Sequence, residues 1–466
     1  MIQFKIVGEK MRLSRLLKLV TLRMQVLLNG EMSLEEAITQ ISAYWFIARI
    51  MGCTPAKLAD YTPDEMRNSN VPRSFKFMNK KEREVTECIK TIINTGIAHN
   101  EYQCYIDKTK EALNQNFEKL SIMWLLDAET FAMAEGLYVL SYKIRQICVD
   151  KLTAKYERKR NIRYFDVQRL YAGFLNAGEL EKATEALSRS SKLWKRHHDG
   201  IWQLMNAASK RESIGNFSPQ TVFATEVDKE FHKMVKGKNI AVLGPAVGAI
   251  DPQEIKREFD LIVCVNYRGK EFLNEDIREC GVDISYYNEL YRLNASDSET
   301  FSTDEEPLFF RDLKMAVFKN LDCDFQKKMQ SERRCRKLLG TERTLMFQGF
   351  CNMIQNILLD LSRFAPARIK VFNTTLFLAD VSKRYRKNYM TNKFIQQFTN
   401  QSTIQAYKYQ VMAMHNLTSN YELTKCWYDA GYFEADDDLI KVLSLGTNEY
   451  LRCMELQNFD DRDNGI

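Results

Sequence analysis

The stretch KNIAVLGPAVGAIDPQEIKREFDLIVCVN runs from Lys238 to Asn266. Its first apolar run, NIAVLG (239–244), reads as a strand ending at Leu243. A Gly-Pro-Ala turn follows, a helix opens near Asp251, and DLIVCVN (260–266) reads as a second strand. The helix start is well specified. Asp251 is a natural N-cap, Pro252 suits the first helical position, and Glu254 stands three residues after the cap. A strand that runs through a glycine turn into a helix amino terminus suits phosphate, because unpaired backbone N–H groups and the helix dipole point at the anion. The fingerprints GxGxxG and GxxxxGK[ST] are both absent. An ordinary strand-to-helix turn therefore stays beside the phosphate reading.

Further along come VDISYY (282–287), KMAVF (314–318) and RIKVFN (368–373), with the helical stretch FCNMIQNILLDLSRFA (350–365) before the last of them. Apolar strands alternating with helices predict an α/β Rossmann-like domain: a mostly parallel sheet with helices on both faces. Ligands of such sheets bind outside the carboxyl ends of the strands. The segment Asn294–Pro307 is too polar for a core and reads as a loop.

Upstream the periodicity changes. SLEEAITQISAYWFIARIMG (33–52), KEREVTECIKTIINTGIA (81–98), the segment from Lys108 to Leu152, and VQRLYAGFLNAGELEKATEALSRSSKLW (167–194) space apolar residues by three and four. They predict an all-α helical domain over 1–220. Leu170, Ala172, Leu175, Gly178, Leu180 and Ala183 resemble one tetratricopeptide helix pair. A helical hairpin without repeat ancestry fits equally, since an array needs three units. Residues 221–237 read as a linker, 238–457 as the α/β domain, and 458–466 as a polar tail.

The 466 residues carry a net charge of +6, with 45% hydrophobic and 27% charged residues. That balance is ordinary for a globular chain, and neither it nor any recognisable module calls for nucleic acid. Eleven irregularly spaced cysteines argue for reduced thiols and a cytoplasmic setting. MRLSRLLKLVTLRMQVLL (11–28) is too charged for a secretion signal. It reads either as a first helix packed on its own domain or as one lying on the inner face of an anionic membrane. A GxSxG hydrolase elbow is absent.

Several of these segments together resemble the sialyltransferase-like glycosyltransferases. Gly244, Glu254-Ile255, Asp260 and Asn266 match the elements of that family's large motif. VDISYYNE resembles its next strand, ending at Asn288. TLMFQGFCNMIQNILLDLSRFAPARIKVFN (344–373) resembles the small motif. MHNLTSNYELTKCWYDAGYFEADDDLIKVLSL (414–445) is similar to the tail of bacterial members, where a histidine precedes a helix pair. The resemblance spans 238–457 and departs in three places: Pro245-Ala246 after the glycine, Cys264 in place of an arginine, and Asn420 in place of a glutamate, with Glu422 two residues on.

The resemblance implies an inverting, metal-independent transferase of a nucleotide-activated sugar, with CMP-sialic acid or CMP-Kdo as donor. The acceptor would be a surface polysaccharide or glycolipid. His415 would be the general base; imidazole can take a proton from an attacking hydroxyl, and the other four histidines (His99, His197, His198, His232) precede the first motif. Gly244, Pro245, Ala246, Asn266 and Asn288 would line the nucleotide, with Gln348 and Gly349 closing the other side. Glycine at 244 permits close backbone approach. Arg343, or Lys383, Arg384, Arg386 and Lys387, would meet phosphate or an acidic acceptor, although a solvated loop explains the latter cluster as well. Asp436-Asp437-Asp438 is the one Asp-x-Asp string, but its context reads as a helix amino terminus, so no metal is expected. The helical half would dock a partner, the acceptor or the membrane. Two further readings stand: a non-catalytic helical scaffold with a degenerate nucleotide-sensing domain, and a transferase of UDP- or GDP-sugars.

Overall fold

The computed structural model describes residues 78–94, 99–134, 136–157, 164–189, 225–248, 250–270, 273, 275–287, 306, 308–319, 321, 324–338, 345–379 and 415–463. The two segments 11–28 and 33–52, and most of the polar stretch 294–307, lie outside them.

Seven strands form one sheet: β1 (Asn239–Leu243), β2 (Leu261–Val265), β3 (Ile284–Tyr287), β4 (Met315–Phe318), β5 (Cys335–Lys337), β6 (Arg368–Phe372) and β7 (Glu434–Ala435). Their spatial order is β5-β4-β3-β2-β1-β6-β7 and every pair is parallel. The helices, in chain order, are α1 (Lys80–Asn94), α2 (His99–Gln115), α3 (Ile122–Ala134), α4 (Tyr138–Tyr156), α5 (Tyr164–Asn176), α6 (Leu180–Ser188), α7 (Glu226–Val235), α8 (Pro252–Glu258), α9 (Glu275–Cys280), α10 (Asp324–Ser331), α11 (Met353–Ser362), α12 (Leu417–Asp429), α13 (Asp437–Ser444) and α14 (Thr447–Asp463).

Successive strand residues face opposite sides of a sheet, and the two cores follow that period. Ile240, Val242, Val263, Tyr286, Val317 and Val371 enter one core. Ala241, Leu243, Ile262, Tyr287, Phe318 and Phe372 enter the other, with Ile255 of α8 and Ile277 of α9. Both faces are covered, so β1, β2, β3 and β4 are mainly apolar, as buried parallel strands require. The first core does not stop at the sheet. It continues through α11 and α12 into Val85, Trp124, Leu140, Ile144 and Leu175 of the upstream helices. The helical and sheet segments thus share one buried cluster.

The five strands expected from the sequence all form. β5 and β7 were not legible: CRK and EA are too short and polar to show a pattern, and both are edge strands that need burial on fewer sides. The long segment 108–152 is not one helix. A 3-10 turn at Phe117–Lys119 separates α2 from α3, and Gly136, at φ +79°, separates α3 from α4. The hairpin at 167–194 is α5 and α6, joined through Gly178 at φ +76°. The stretch 221–237 is corrected from linker to helix from Thr225 onward. Thr225 and Asp228 form a reciprocal capping box, and Val227, Phe231 and Val235 bury one face of α7. The tail 458–466 is helical as far as Asp463. Among the described residues no helix is long and apolar enough to cross a membrane.

The start of α4 is capped from far along the chain. Leu137 offers no side-chain cap, and Glu455 of α14 accepts the Val139 N–H at 2.8 Å instead. Burial pushes the Glu455 carboxyl from 4.5 up to about 7, against the lowering effect of that N–H. The folded state therefore holds this proton more tightly than the unfolded chain does. The stability so gained is complete below about pH 4.5 and is lost as pH rises through 7. Glu455→Gln keeps an acceptor for Val139 and carries no charge. It should raise stability at pH 8 by on the order of 2–3 kcal/mol and match the wild type below pH 4.5. Urea midpoints from pH 4 to 8 measure this; a wild-type-to-variant gap that does not change with pH would refute it.

Candidate functional site

β1 lies between β2 and β6, and the chain leaves the two central strands in opposite directions. After β1 it turns to α8 on one face. After β6 it proceeds to α12 on the other. Doubly wound sheets bind ligands at such a divergence, outside the carboxyl ends of the two strands.

Two turns pack on each other there. Gly244 N–H donates to the Phe372 carbonyl at 2.8 Å, and Ala246 N–H to the Asn373 carbonyl at 3.0 Å. A Cβ on Gly244 would stand 2.1 Å from Thr374 Oγ1 and 2.4 Å from Asn373 O. The close backbone approach that this glycine permits is thus to the end of β6. Ala246 is buried. Gly248 lies over the Asn373 side chain, with a virtual Cβ 2.2 Å from its Oδ1. Asn373 itself is left-handed, at φ +53°, a conformation asparagine tolerates. Its N–H donates to Asp436 Oδ2 at 2.7 Å. Past Ala246 the turn opens outward: Val247 is 41% exposed, and among the described residues the N–H groups of Val247 and Gly248 make no hydrogen bond within the chain.

Asp251 starts α8 as its sequence context predicts, accepting the Gln253 N–H at 2.9 Å with Pro252 at the first helical position. Asn266 follows β2 at φ +53°, its N–H donating to the Tyr286 carbonyl at 2.9 Å. The left-handed backbone accounts for an asparagine there. Cys264 is fully buried. Asn288, Arg343, Lys383, Arg384, Arg386 and Lys387 lie outside the described residues.

A second cluster forms where the loop before α11 meets the turn before α12. His415 Nδ1 lies 3.3 Å from the Phe350 carbonyl oxygen. A carbonyl only accepts, so this contact places the neutral ring's proton on Nδ1 and the lone pair on Nε2. The residue retains a partly exposed surface. Its ring is nonetheless so enclosed that burial, aided by Lys319 just beyond β4, pulls its pKa down to about 4; the Phe350 and Cys351 carbonyls oppose the shift. The ring is neutral throughout the physiological range. Asn420 ties the two segments together: it accepts the Asn352 N–H at 2.8 Å and donates to the carbonyls of Phe350 (3.0 Å) and His415.

Gln348 and Gly349 belong to that loop, Gly349 at φ +86°. The Gln348 carboxamide donates to the Leu126 carbonyl at 3.0 Å and to Glu129, so it faces the upstream helices. The structure thus brings His415 beside Gln348 and Gly349, and places Gly244, Pro245, Ala246 and Asn266 at the ends of the adjacent strands β1 and β2. Asp436 is the N-cap of α13, accepting the Leu439 N–H at 2.9 Å as well as that of Asn373. Both its oxygens serve the backbone, as the helix-terminus reading expects. Among the described residues no group of three or more His, Cys, Asp or Glu side chains is arranged to hold a metal ion.

Sequence reasoning missed Asn373 and Thr374, on which the Gly244 turn packs. Their signal was available, because they follow the strand RIKVF at its carboxyl end. It also missed Glu129 and Arg145, which reach the His415 cluster from α3 and α4 and leave no local mark. Comparisons with family models, characterised proteins and solved structures find no match for this chain.

Proposed function

We propose that the chain is a sialyltransferase-type glycosyltransferase, inverting and metal-independent. Its donor is a nucleotide-activated sugar, a CMP-activated acidic sugar by its motif order, and its acceptor a surface glycan or glycolipid. The observation that supports this best is the outward-facing turn at the switch point. The unpaired N–H groups of Val247 and Gly248 stand just before the α8 amino terminus, an arrangement suited to a nucleotide's phosphate. The Val247 side chain offers an apolar surface beside them. His415, with its proton held at Nδ1, supplies Nε2 as the base for an acceptor hydroxyl. Its low pKa makes it a weak base in the free protein, and an anionic donor offsets the opposing charge of Lys319.

Heat-shift titration with CMP tests the donor. At a hundredfold excess over Kd, ligand binding adds about 2.7 kcal/mol, which appears as a rise in Tm of a few degrees. A response to UDP or GDP alone reassigns the donor, and silence toward all three removes the nucleotide. With a donor in hand, His415→Ala should bind CMP as the wild type does and lose about 10²–10⁴-fold in kcat. The acid limb of the wild-type kcat/KM profile should fall near pH 4, and a limb near 6.5 would contradict the buried ring. A second reading, a nucleotide-sensing scaffold without turnover, is favoured by the weak basicity of that same ring. It predicts binding with no transfer from any sugar donor.

A further inference from the structure

The turn that carries His415 is held by its own segment, through Ser419 and Asn420, and also from α3 and α4. Asn416 is buried and left-handed, at φ +45°. Its Oδ1 accepts the Ser419 N–H at 3.0 Å, capping α12, and accepts a second hydrogen bond from Arg145 Nη2. Its Nδ2 donates to Glu129 Oε1 at 3.1 Å. Arg145 in turn donates from Nε and Nη2 to Glu129 at 3.0 and 2.8 Å, reaches Glu422 at 3.4 Å, and lies over the Phe347 ring at 5.1 Å. The other oxygen of Glu129 accepts from Gln348, two residues before the carbonyl that meets the His415 ring. Arg145 and Glu129 are 3% and 0% exposed. One buried ion pair from α3 and α4 therefore grips both sides of the histidine: its backbone through Asn416 and its hydrogen-bond partner through Gln348.

We propose that Arg145 and Glu129 are positioning residues for His415, so that the upstream helices form part of the site. The catalytic consequence rests on the transferase reading given above; the positioning itself does not. The chemical argument is that a charge-assisted bond in a dry setting fixes an amide orientation far better than a bond to water does. A base must be held in register with the proton it accepts. Without the pair, Asn416 loses its side-chain tie to α3 and α4 and keeps only bonds within its own segment, and Asn420 alone joins the His415 and Phe350 carbonyls. The charge that acts on the ring is that of Lys319; Arg145, Glu129 and Glu422 meet one another, Asn416 and Gln348.

The test is nitrogen NMR of the full chain labelled at histidine, with the His415 signal assigned by its loss in His415→Gln. In the wild type the ring should report a neutral Nδ1–H tautomer from pH 5 to 8. In Arg145→Met the tautomers should mix and the midpoint should rise by one pH unit or more. Asn416→Gly accepts the left-handed backbone and removes the tether together with the Ser419 cap, at an N-cap position where glycine is tolerated; it should give the same shift, and it decides the matter if the arginine variant does not fold. Folded Arg145→Met or Asn416→Gly protein with wild-type tautomer and midpoint overturns the proposal, whatever its Tm. In the transferase assay both variants should lose tenfold or more in kcat with donor KM unchanged. If the ring shifts as stated while His415→Ala retains full activity, positioning stands and the general-base reading falls.

Discussion

Arg336→Ala should lose about 3–5 kcal/mol of stability, the range for removing one partner of a buried ion pair. Arg336 lies on β5 at the sheet edge, yet it is 1% exposed. Its Nε donates to Asp228 at 2.9 Å and its Nη1 to Asp360 at 2.5 Å. The guanidinium sits 4.7 Å from the Phe231 ring and 4.8 Å from the Phe364 ring, and those two rings meet edge to face. Asp360 also accepts the Tyr286 hydroxyl at 2.7 Å. Truncation would leave two carboxylates facing each other in a dry space with no cation, and would open a cavity between two phenylalanines. Arg336→Met fills the cavity and leaves the charges, so it should recover only part of the loss. Adding Asp360→Asn to Arg336→Met removes one stranded charge and should restore stability further. Urea midpoints of the four proteins decide it. A loss under 1 kcal/mol for Arg336→Ala would mean that solvent reaches the site on truncation.

The same site shows why part of the architecture was legible and part was not. The sheet's centre could be read because β1, β2, β3 and β4 are buried on both faces and leave apolar runs as the direct trace, while β6 alternates half-buried Arg368 and Lys370 with buried Ile369 and Val371. The start of α8 could be read because a cap, a proline and a turn are local signals, and Asp251 satisfies its helix within two residues. Arg336 shows the opposite case. Its partners are 108 and 24 residues away, and nothing in SERRCRKLL (331–339) separates the buried arginine from the exposed Arg333 and the half-buried Arg334. Glu129 and Arg145 escaped notice for the same reason: each is a charged residue on a helix until the fold brings Asn416 and Gln348 to it. The candidate site was legible on its strand side, at Gly244 through Ala246, and at its single downstream histidine. The contact that orients the His415 ring spans 65 positions, and those that tie its turn to α3 and α4 span more than 250.

Gly244→Ala should cost on the order of 3 kcal/mol and should also abolish stabilisation by CMP. An added methyl would meet Thr374 Oγ1 at 2.1 Å and Asn373 O at 2.4 Å. The hydroxyl can rotate away, but the carbonyl cannot: it accepts the Ala246 N–H, and the Asn373 N–H is anchored on Asp436. The turn must therefore lift off β6. The Gly244-to-Phe372 and Ala246-to-Asn373 hydrogen bonds stretch or break, each worth about 1 kcal/mol, in addition to the overpacking itself. Thr374→Ala in the same chain relieves only the softer of the two contacts and should restore less than half of the loss. Gly248→Ala provides the contrast, because its near neighbour is Asn373 Oδ1, the end of a side chain. That amide can swing, so Gly248→Ala should cost clearly less than Gly244→Ala. Thermal denaturation with and without CMP distinguishes packing from binding. Wild-type Tm in Gly244→Ala would mean that the turn is looser than drawn. Lowered Tm with an undiminished CMP shift would mean that the nucleotide does not sit on this turn, and the switch-point assignment would have to be abandoned.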